Sequence, residues 1–382
     1  MRVLHIGKFW PPYAGGIERA SRELCLALAA TGVEVSVLAH ATPPAWRSHE
    51  WQDEGIPVRL AACPGQLAYA PLSPGFRRGL SSMIARHRPQ LLHLHMPNPA
   101  AFWALSLPAA RRLPWLVHWH SDIPLAQAPG VVRLLYPLYR PFEKALLVGA
   151  VRIVATSPDY RDASPALRPW SDKTAVVPLG MPAAVATTKE ARDNACALWP
   201  GSGLRLLSVG RLSHYKGFDV LLDALVETPD VQLLLIGDGE CMASLRAQVA
   251  RLGLADRVHL AGRLDDAQRD AAYAVAELFC LPSVARSEAF GMVLLEAMRQ
   301  HLPVLASRVA GSGMAHVLGQ GSAGCLVPPG EARALAGALN RLAGNPEKRQ
   351  QLAEAGYRRW HRFFTLQESA SQFRTLYRDI LG

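Results

Sequence analysis

Two glutamates separated by seven residues carry the most informative chemistry in this 382-residue sequence. Glu288 and Glu296 lie in Ser283-Val284-Ala285-Arg286-Ser287-Glu288-Ala289-Phe290-Gly291-Met292-Val293-Leu294-Leu295-Glu296-Ala297-Met298. The segment follows an apolar run that ends at Pro282, and Phe290-Gly291 reads as the opening of a helix. Glu288 then falls in a loop, and Glu296 about two turns into the helix. A helix N-terminus offers free N–H groups and a positive dipole end, so it can receive a diphosphate. Gly291 would let a ligand approach the backbone closely. Glu288 could accept hydrogen bonds from sugar hydroxyls, and Glu296 from both hydroxyls of a ribose. The plainer reading makes Glu288 a helix-capping acid and Glu296 an exposed helix residue. Spacing alone leaves both readings open.

Other residues could serve the same chemistry. Arg211 and Lys216 follow the run Leu204–Val209. Two cations there could neutralise charge on a leaving diphosphate, or simply be exposed loop residues. Gly15 and Gly16 precede a helical pattern starting at Ile17; their N–H groups could face a phosphate or a reacting sugar, or the pair could only serve a tight turn. His118 and His120 share one strand face, as do His93 and His95 on another run. A four-histidine metal site is conceivable, but no cysteine or acidic cluster flanks it. Asp122 stands close enough to orient His120 or assist an acceptor. Gly237-Asp238-Gly239 lacks the third glycine of a dinucleotide fingerprint, and no Walker A sequence occurs. No D-x-D triplet is present to hold a metal on a diphosphate, so metal-independent catalysis is expected.

These residues need elements to position them. Short apolar runs alternate with helix-period segments almost throughout. In the first half the runs are Val3–Ile6, Val35–Ala39, Val58–Ala61, Leu91–His95, Trp115–His118, Ile153–Ala155 and Ala175–Val177. In the second they are Leu204–Val209, Gln232–Ile236, Val258–Ala261, Leu278–Pro282, Val304–Ala306 and Cys325–Val327. Such runs suit strands buried on both faces, and their alternation with helices implies βαβ units. The expected fold is α/β: two doubly wound parallel-sheet domains, joined near the Pro178–Pro182 stretch, with ligands in the cleft between them. The expected domains are residues 1–180 and 183–362, with a final helix over 365–382.

Half of the residues are apolar and 19% are charged, as in a soluble globular chain. No apolar run is long enough to cross a bilayer. Met1–Gly7 reads as a strand entering a loop, not as a signal peptide. The six cysteines are widely spaced and are expected to be buried, reduced thiols, which fits the cytoplasm. The net charge of +10 sits mainly in residues 1–180, which hold 19 basic against 11 acidic residues; the remainder holds 22 against 20. A basic face attracts nucleic acid, anionic lipid or phosphorylated substrates. No nucleic-acid motif accompanies it, so no nucleic-acid partner is expected.

The Ser287–Met298 segment resembles the signature of the family 4 retaining glycosyltransferases, which have the GT-B architecture of two Rossmann-like domains. Gly15-Gly16-Ile17-Glu18, His118-Trp119-His120-Ser121-Asp122, Gly210-Arg211-Leu212 with Lys216-Gly217, and Gly237-Asp238-Gly239 match in the same order. The resemblance extends over most of the chain. It implies an N-terminal acceptor domain, a C-terminal donor domain, and a last helix that returns to the first domain. It gives His120, Arg211, Lys216 and Glu288 catalytic roles. It places Gly15, Gly16, Arg263, Leu264, Ala289, Phe290, Gly291, Met292 and Glu296 at the donor, and Asp122 on the acceptor side. Two stretches depart from the pattern: Ala297-Met298-Arg299-Gln300-His301, and His316 where an acid is usual.

The resemblance further implies transfer of a hexose from a nucleotide-diphosphate sugar, with retention by front-side attack and without a cofactor. It is closest to enzymes of bacterial surface-polysaccharide and lipopolysaccharide assembly, which makes GDP-mannose the first choice of donor and a lipid-linked glycan the acceptor. Residues 74–88 and 131–144 combine apolar and basic residues, which suits peripheral contact with an anionic membrane on its cytoplasmic face. They equally suit helix faces that pack on a sheet. A nucleotide-sugar epimerase of the same fold and a non-catalytic binding module are the rival readings.

Overall fold

The computed structural model describes residues 1–13, 15–67, 70–125 and 130–382. The chain divides into two compact units, Met1–Pro182 with Leu366–Gly382, and Ala183–Thr365.

The first unit contains β1 (Arg2–Phe9), β2 (Glu34–His40), β3 (His49–Asp53), β4 (Ile56–Ala61), β5 (Gly65–Leu67), β6 (Ala70–Leu72), β7 (Leu91–Met96), β8 (Trp115–Trp119), β9 (Arg152–Ala155) and β10 (Thr174–Val176). Its main sheet has the order β10-β9-β8-β7-β1-β2-β4-β3, and β5 and β6 form a separate ribbon. Every residue of β7 is buried, as a strand covered on both faces requires. Within the main sheet pairing is parallel except for β3, which runs antiparallel to β4; the β5–β6 ribbon is also antiparallel. The doubly wound α/β architecture is as expected, with one antiparallel strand added at the edge of this sheet. His49-Glu50-Trp51-Gln52-Asp53 is an edge strand with most residues exposed, so it carries no apolar run to betray it.

The second unit contains β11 (Leu204–Val209), β12 (Val231–Ile236), β13 (Val258–Gly262), β14 (Leu278–Leu281), β15 (Val304–Ser307) and β16 (Cys325–Val327). Its sheet is parallel in the order β13-β12-β11-β14-β15-β16. Leu206, Leu233, Leu235, Leu278 and Leu305 pack there against Leu221 and Leu339 from covering helices.

The final helix, Leu366–Leu381, belongs to the first unit. Its Ala370, Phe373 and Tyr377 recur at helical spacing and are buried against Leu24, Cys25 and Leu28 of the helix Gly16–Ala30. The Leu366 amide donates to the Met181 carbonyl (3.1 Å) and the Ser369 hydroxyl to the Pro178 carbonyl (3.1 Å), which fixes the point of return. All six cysteines are free thiols, but Cys196 is exposed and Cys325 half-buried, so burial holds only for the other four. Among the described residues, no helix is long and apolar enough to cross a membrane.

Candidate functional site

In the second sheet, β11 lies between β12 and β14, and the chain winds outward in both directions from it. The carboxyl ends of β11 and β14 therefore border the switch point, where ligands of doubly wound sheets bind. Lys216 lies in the short turn His214–Lys216 after β11. Its Nζ donates to Glu288 Oε2 at 2.5 Å, from the loop that follows β14. Both side chains are buried. The Val284 amide donates to the Tyr215 carbonyl (2.8 Å) and ties the two loops together. Gly217 makes the close approach possible: its φ is +66°, and a Cβ would strike the Pro282 carbonyl oxygen. Ser283 Oγ donates to the same Glu288 oxygen (3.3 Å), and Ser312 Oγ to the Glu288 carbonyl (2.5 Å). Burial pulls the Lys216 pKa down, but Glu288, Tyr215 and Glu296 more than offset it and hold the ammonium above its ordinary value.

Glu296 sits on the helix Met292–Arg299 and is buried. Tyr273 donates its O–H to Glu296 Oε2 at 2.8 Å. Burial, then the neighbouring Glu296, pushes the Tyr273 phenol well above its ordinary pKa, so it remains a donor. The helix begins at Gly291, which has φ +85° and supplies no side-chain cap. Glu288 is therefore not a helix cap and Glu296 not an exposed helix residue. Amides of a first turn that its N-cap residue leaves unbonded can receive an anion. Beside it, Phe290 is buried, Met292 half-buried, and the Ala289 carbonyl accepts from the Gly313 amide (2.8 Å).

The structure does not group all the cations. Arg211 is exposed and pairs with Glu240 (3.3 Å), while Lys216 is buried with Glu288. Arg263 is exposed, 3.7 Å from Asp238. Leu264 is half-buried, just before the capping box that Asp265 and Gln268 form on the next helix. Ser283, Ser312 and Tyr273 were not singled out from the sequence. Ser283 follows the strand directly and could have been noticed; Tyr273 and Ser312 lie in other parts of the chain and gave no local signal.

In the first unit, Gly15 precedes the helix Gly16–Ala30 in extended conformation. The Glu18 carboxylate folds back over Gly15, where a Cβ would collide with it. Burial raises the Glu18 pKa, against its own amide and Lys8. His120 follows β8 and is buried; its amide donates to the Met96 carbonyl (3.0 Å), and its Nε2 lies 2.9 Å from His95 Nδ1. Burial pushes its pKa down to about 3, so the ring is neutral at pH 7. Asp122 does not orient His120. Its Oδ1 accepts from the Trp119 indole (2.9 Å) and the Ser164 hydroxyl (2.6 Å), and its amide donates to Tyr160 Oη (2.5 Å). It fastens the loop to its surroundings.

Residues 15–180 match the family described as glycosyl transferase 4-like domain, and residues 195–359 the family described as glycosyl transferases group 1. A D-rhamnosyltransferase of Pseudomonas aeruginosa is 32% identical over 367 residues, covering 96% of this chain and 92% of its own. The chain belongs to the family 4 glycosyltransferases. Another member, O-antigen chain mannosyltransferase C of Escherichia coli, is 28% identical and aligns over 100% of this chain and 99% of its own. The sucrose-phosphate synthase of Thermosynechococcus elongatus superposes with a TM-score of 0.81 at 26% identity, over 99% of this chain and 98% of that one. For a family 4 glycosyltransferase, this means the GT-B fold of two Rossmann-like domains.

Proposed function

We propose that this glycosyltransferase moves a manno-configured hexose, with GDP-mannose as first choice of donor, onto a lipid-linked glycan of a surface polysaccharide or lipopolysaccharide. The pairing of Lys216 with Glu288 at the β11/β14 switch point carries the reading. It sets a charged donor and a carboxylate beside an uncapped helix start, the groups needed by a diphosphate and a sugar hydroxyl. Glu296, held by Tyr273, takes the ribose. Gly15, Gly16, Arg263, Leu264, Ala289, Phe290, Gly291 and Met292 complete the donor contacts; His120 faces the sugar, and the Asp122 loop the acceptor. The choice of sugar rests on the two relatives, since D-rhamnose is mannose without its 6-hydroxyl.

Lys216, Arg211 and helix N–H groups offset the charge of the departing diphosphate, so no metal is required. The acceptor hydroxyl attacks the face the diphosphate leaves and passes its proton to a diphosphate oxygen. The anomeric configuration is retained. No second carboxylate is assigned as a nucleophile.

The first unit supports the acceptor and membrane assignment. On the helix Gly130–Gly149, the exposed Val131, Leu134, Leu138 and Phe142 recur every three or four residues, among the exposed Arg133, Arg140 and Lys144. Such a face suits the interface of an anionic membrane, here the cytoplasmic side. The helix Phe76–His87 instead buries Phe76, Leu80 and Met83 and exposes Arg77 and Arg78, so it offers charge alone.

Radiolabelled GDP-mannose incubated with and without a bacterial lipid extract, with EDTA in one arm, tests the proposal. Label should enter lipid only when both extract and enzyme are present, and should survive EDTA. Rearranged free nucleotide sugar would identify an epimerase, and binding without turnover a binding module. EDTA-sensitive transfer rescued by Mg²⁺ or Mn²⁺ would overturn metal independence.

A further inference from the structure

Five histidines of the first unit are buried together: His5 on β1, His93 and His95 on β7, His118 on β8, and His120 just after it. Strand register sets His5 beside His93 and His95 beside His118. Tyr377, from the final helix, meets the same cluster. The ring contacts form one unbranched chain. His118 Nδ1 is 3.2 Å from His93 Nε2, and His93 Nδ1 is 2.6 Å from Tyr377 Oη. Tyr377 Oη is 3.4 Å from His5 Nε2, His5 Nδ1 is 3.1 Å from His95 Nε2, and His95 Nδ1 is 2.9 Å from His120 Nε2. Only the two ends, His118 Nε2 and His120 Nδ1, are buried without a partner.

A neutral imidazole has one N–H and one bare nitrogen. In an unbranched chain, fixing one proton therefore fixes every other. Tyr377 does so. Its 2.6 Å contact with His93 Nδ1 is short for an N–H donor but suits a phenol O–H donating to a bare nitrogen. His93 Nε2–H must then donate to His118. On the other arm His5 Nε2–H donates to Tyr377, His95 Nε2–H to His5, and His120 Nε2–H to His95. Ser21 Oγ, 3.3 Å from His95 Nδ1, can donate to the same bare nitrogen.

We infer that Tyr377 is a positioning residue that acts through His5 and His95 to hold His120 as the Nε2–H tautomer, with Nδ1 bare to accept a hydrogen bond from a substrate hydroxyl. The last helix thereby sets the chemistry of a residue at the end of β8. Two sets of these rings, His5/His93/His95 and His95/His118/His120, place donor atoms within 4.8 Å of one another, close enough for a metal ion. The hydrogen-bonded chain is the better assignment. All but two of the ring nitrogens are already engaged, and the protonation of these rings is governed by burial and by one another, with no carboxylate contributing. A divalent ion would have to break the chain and lie buried without an anionic ligand. The part of the inference that concerns substrate rests on the sugar-side placement of His120 proposed above.

The test is ¹⁵N NMR of the full chain labelled at histidine, with the native protein compared with Tyr377→Phe, which removes one oxygen. In the native protein His120 should show a protonated Nε2 and a bare Nδ1. In Tyr377→Phe the arm from His5 to His120 is free to reverse, so a second His120 tautomer should appear. Turnover should fall roughly fivefold, the worth of one hydrogen bond, with the donor KM unchanged. A protonated Nδ1 on His120 in the native protein overturns the inference, as does a single Nε2–H tautomer that persists in the variant. The expected tautomer change with unaltered turnover would support the chain and reject the sugar-side placement of His120.

Discussion

Lys216 and Glu288 stand 72 residues apart in sequence, yet Nζ and Oε2 lie 2.5 Å apart on the loops that leave the two strands at the switch point of the second sheet. Each covers the other's charge in a buried place, so the pair supports both stability and ligand contact. Glu288→Gln, which keeps shape and loses charge, should lower kcat/KM on the order of 100-fold. Glu288→Ala should do the same and also destabilise the second unit by about 3 kcal/mol, because it strands a buried ammonium. Steady-state kinetics and calorimetry check the two effects. An alanine variant as stable as the parent would contradict the buried pairing.

Tyr273→Phe removes a single hydroxyl, the donor to Glu296. Its packing against Phe279 remains (centroids 5.5 Å apart). Nucleotide affinity should weaken roughly fivefold, with kcat little changed, if Glu296 holds the ribose. Isothermal titration with GDP measures this directly. Unchanged affinity would remove Glu296 from the donor site.

Acid should unfold the first unit through its histidines. Burial lowers the pKa of His5 and His120 to about 3 and of His40 to about 4, and places His93, His95 and His118 well below 6.5. Between these values and 6.5 the unfolded chain binds more protons than the folded one. The stability is therefore fully present above pH 6.5 and is lost as pH falls, at up to about 1.4 kcal/mol per pH unit for each histidine. Glu143 works the other way: burial pushes its carboxyl up to about 7, so its contribution is lost as pH rises through 7. The histidines outnumber it. Urea unfolding from pH 7.5 to 4.5 should show a steep drop below 6.5, and a flat profile would mean that these rings are hydrated.

Gly217→Ala should lower the melting temperature by several degrees and impair turnover. The residue has φ +66°, and the new methyl would meet the backbone oxygen of Pro282 rather than a side chain that can move aside. A cost of about 2 kcal/mol corresponds to roughly 4–8 °C in a unit of this size. An unchanged melting temperature would show that the loops after β11 and β14 are not held so close.

Leu134 and Leu138 are 75% and 69% exposed, which no packing requirement explains. Replacing both with Glu should leave folding intact and abolish sedimentation with vesicles rich in phosphatidylglycerol. Raising the salt concentration should weaken binding of the parent. Equal sedimentation of parent and variant would remove this face from the membrane contact.

Local features made much of this readable in the sequence. Strands buried on both faces leave apolar runs such as Leu204–Val209, Val231–Ile236 and Leu278–Leu281, and a run is visible wherever it occurs. The loop glutamate and the helix opening at Gly291 were visible for the same reason. β3 was not, because a solvated edge strand needs no apolar residues. Arg211 and Lys216 looked like a pair because they are neighbours, yet one faces solvent and Glu240 while the other is buried with Glu288. Spacing along a loop does not say which way each side chain turns. Asp122 looked like a partner for His120 on the same ground and is bonded elsewhere.

The sequence by itself determined the two sets of strands, the motifs at their carboxyl ends and the resemblance to a family, because each is encoded within a few dozen consecutive residues. Only the tertiary structure decided the partners. Tyr273 holds Glu296, Ser312 holds the backbone of Glu288, and Tyr377 of the last helix links His93 of β7 to His5 of β1. Such contacts join side chains that no sequence period relates. Their geometry follows from sheet order and from the return of the last helix, which set distant residues on adjoining strands and faces.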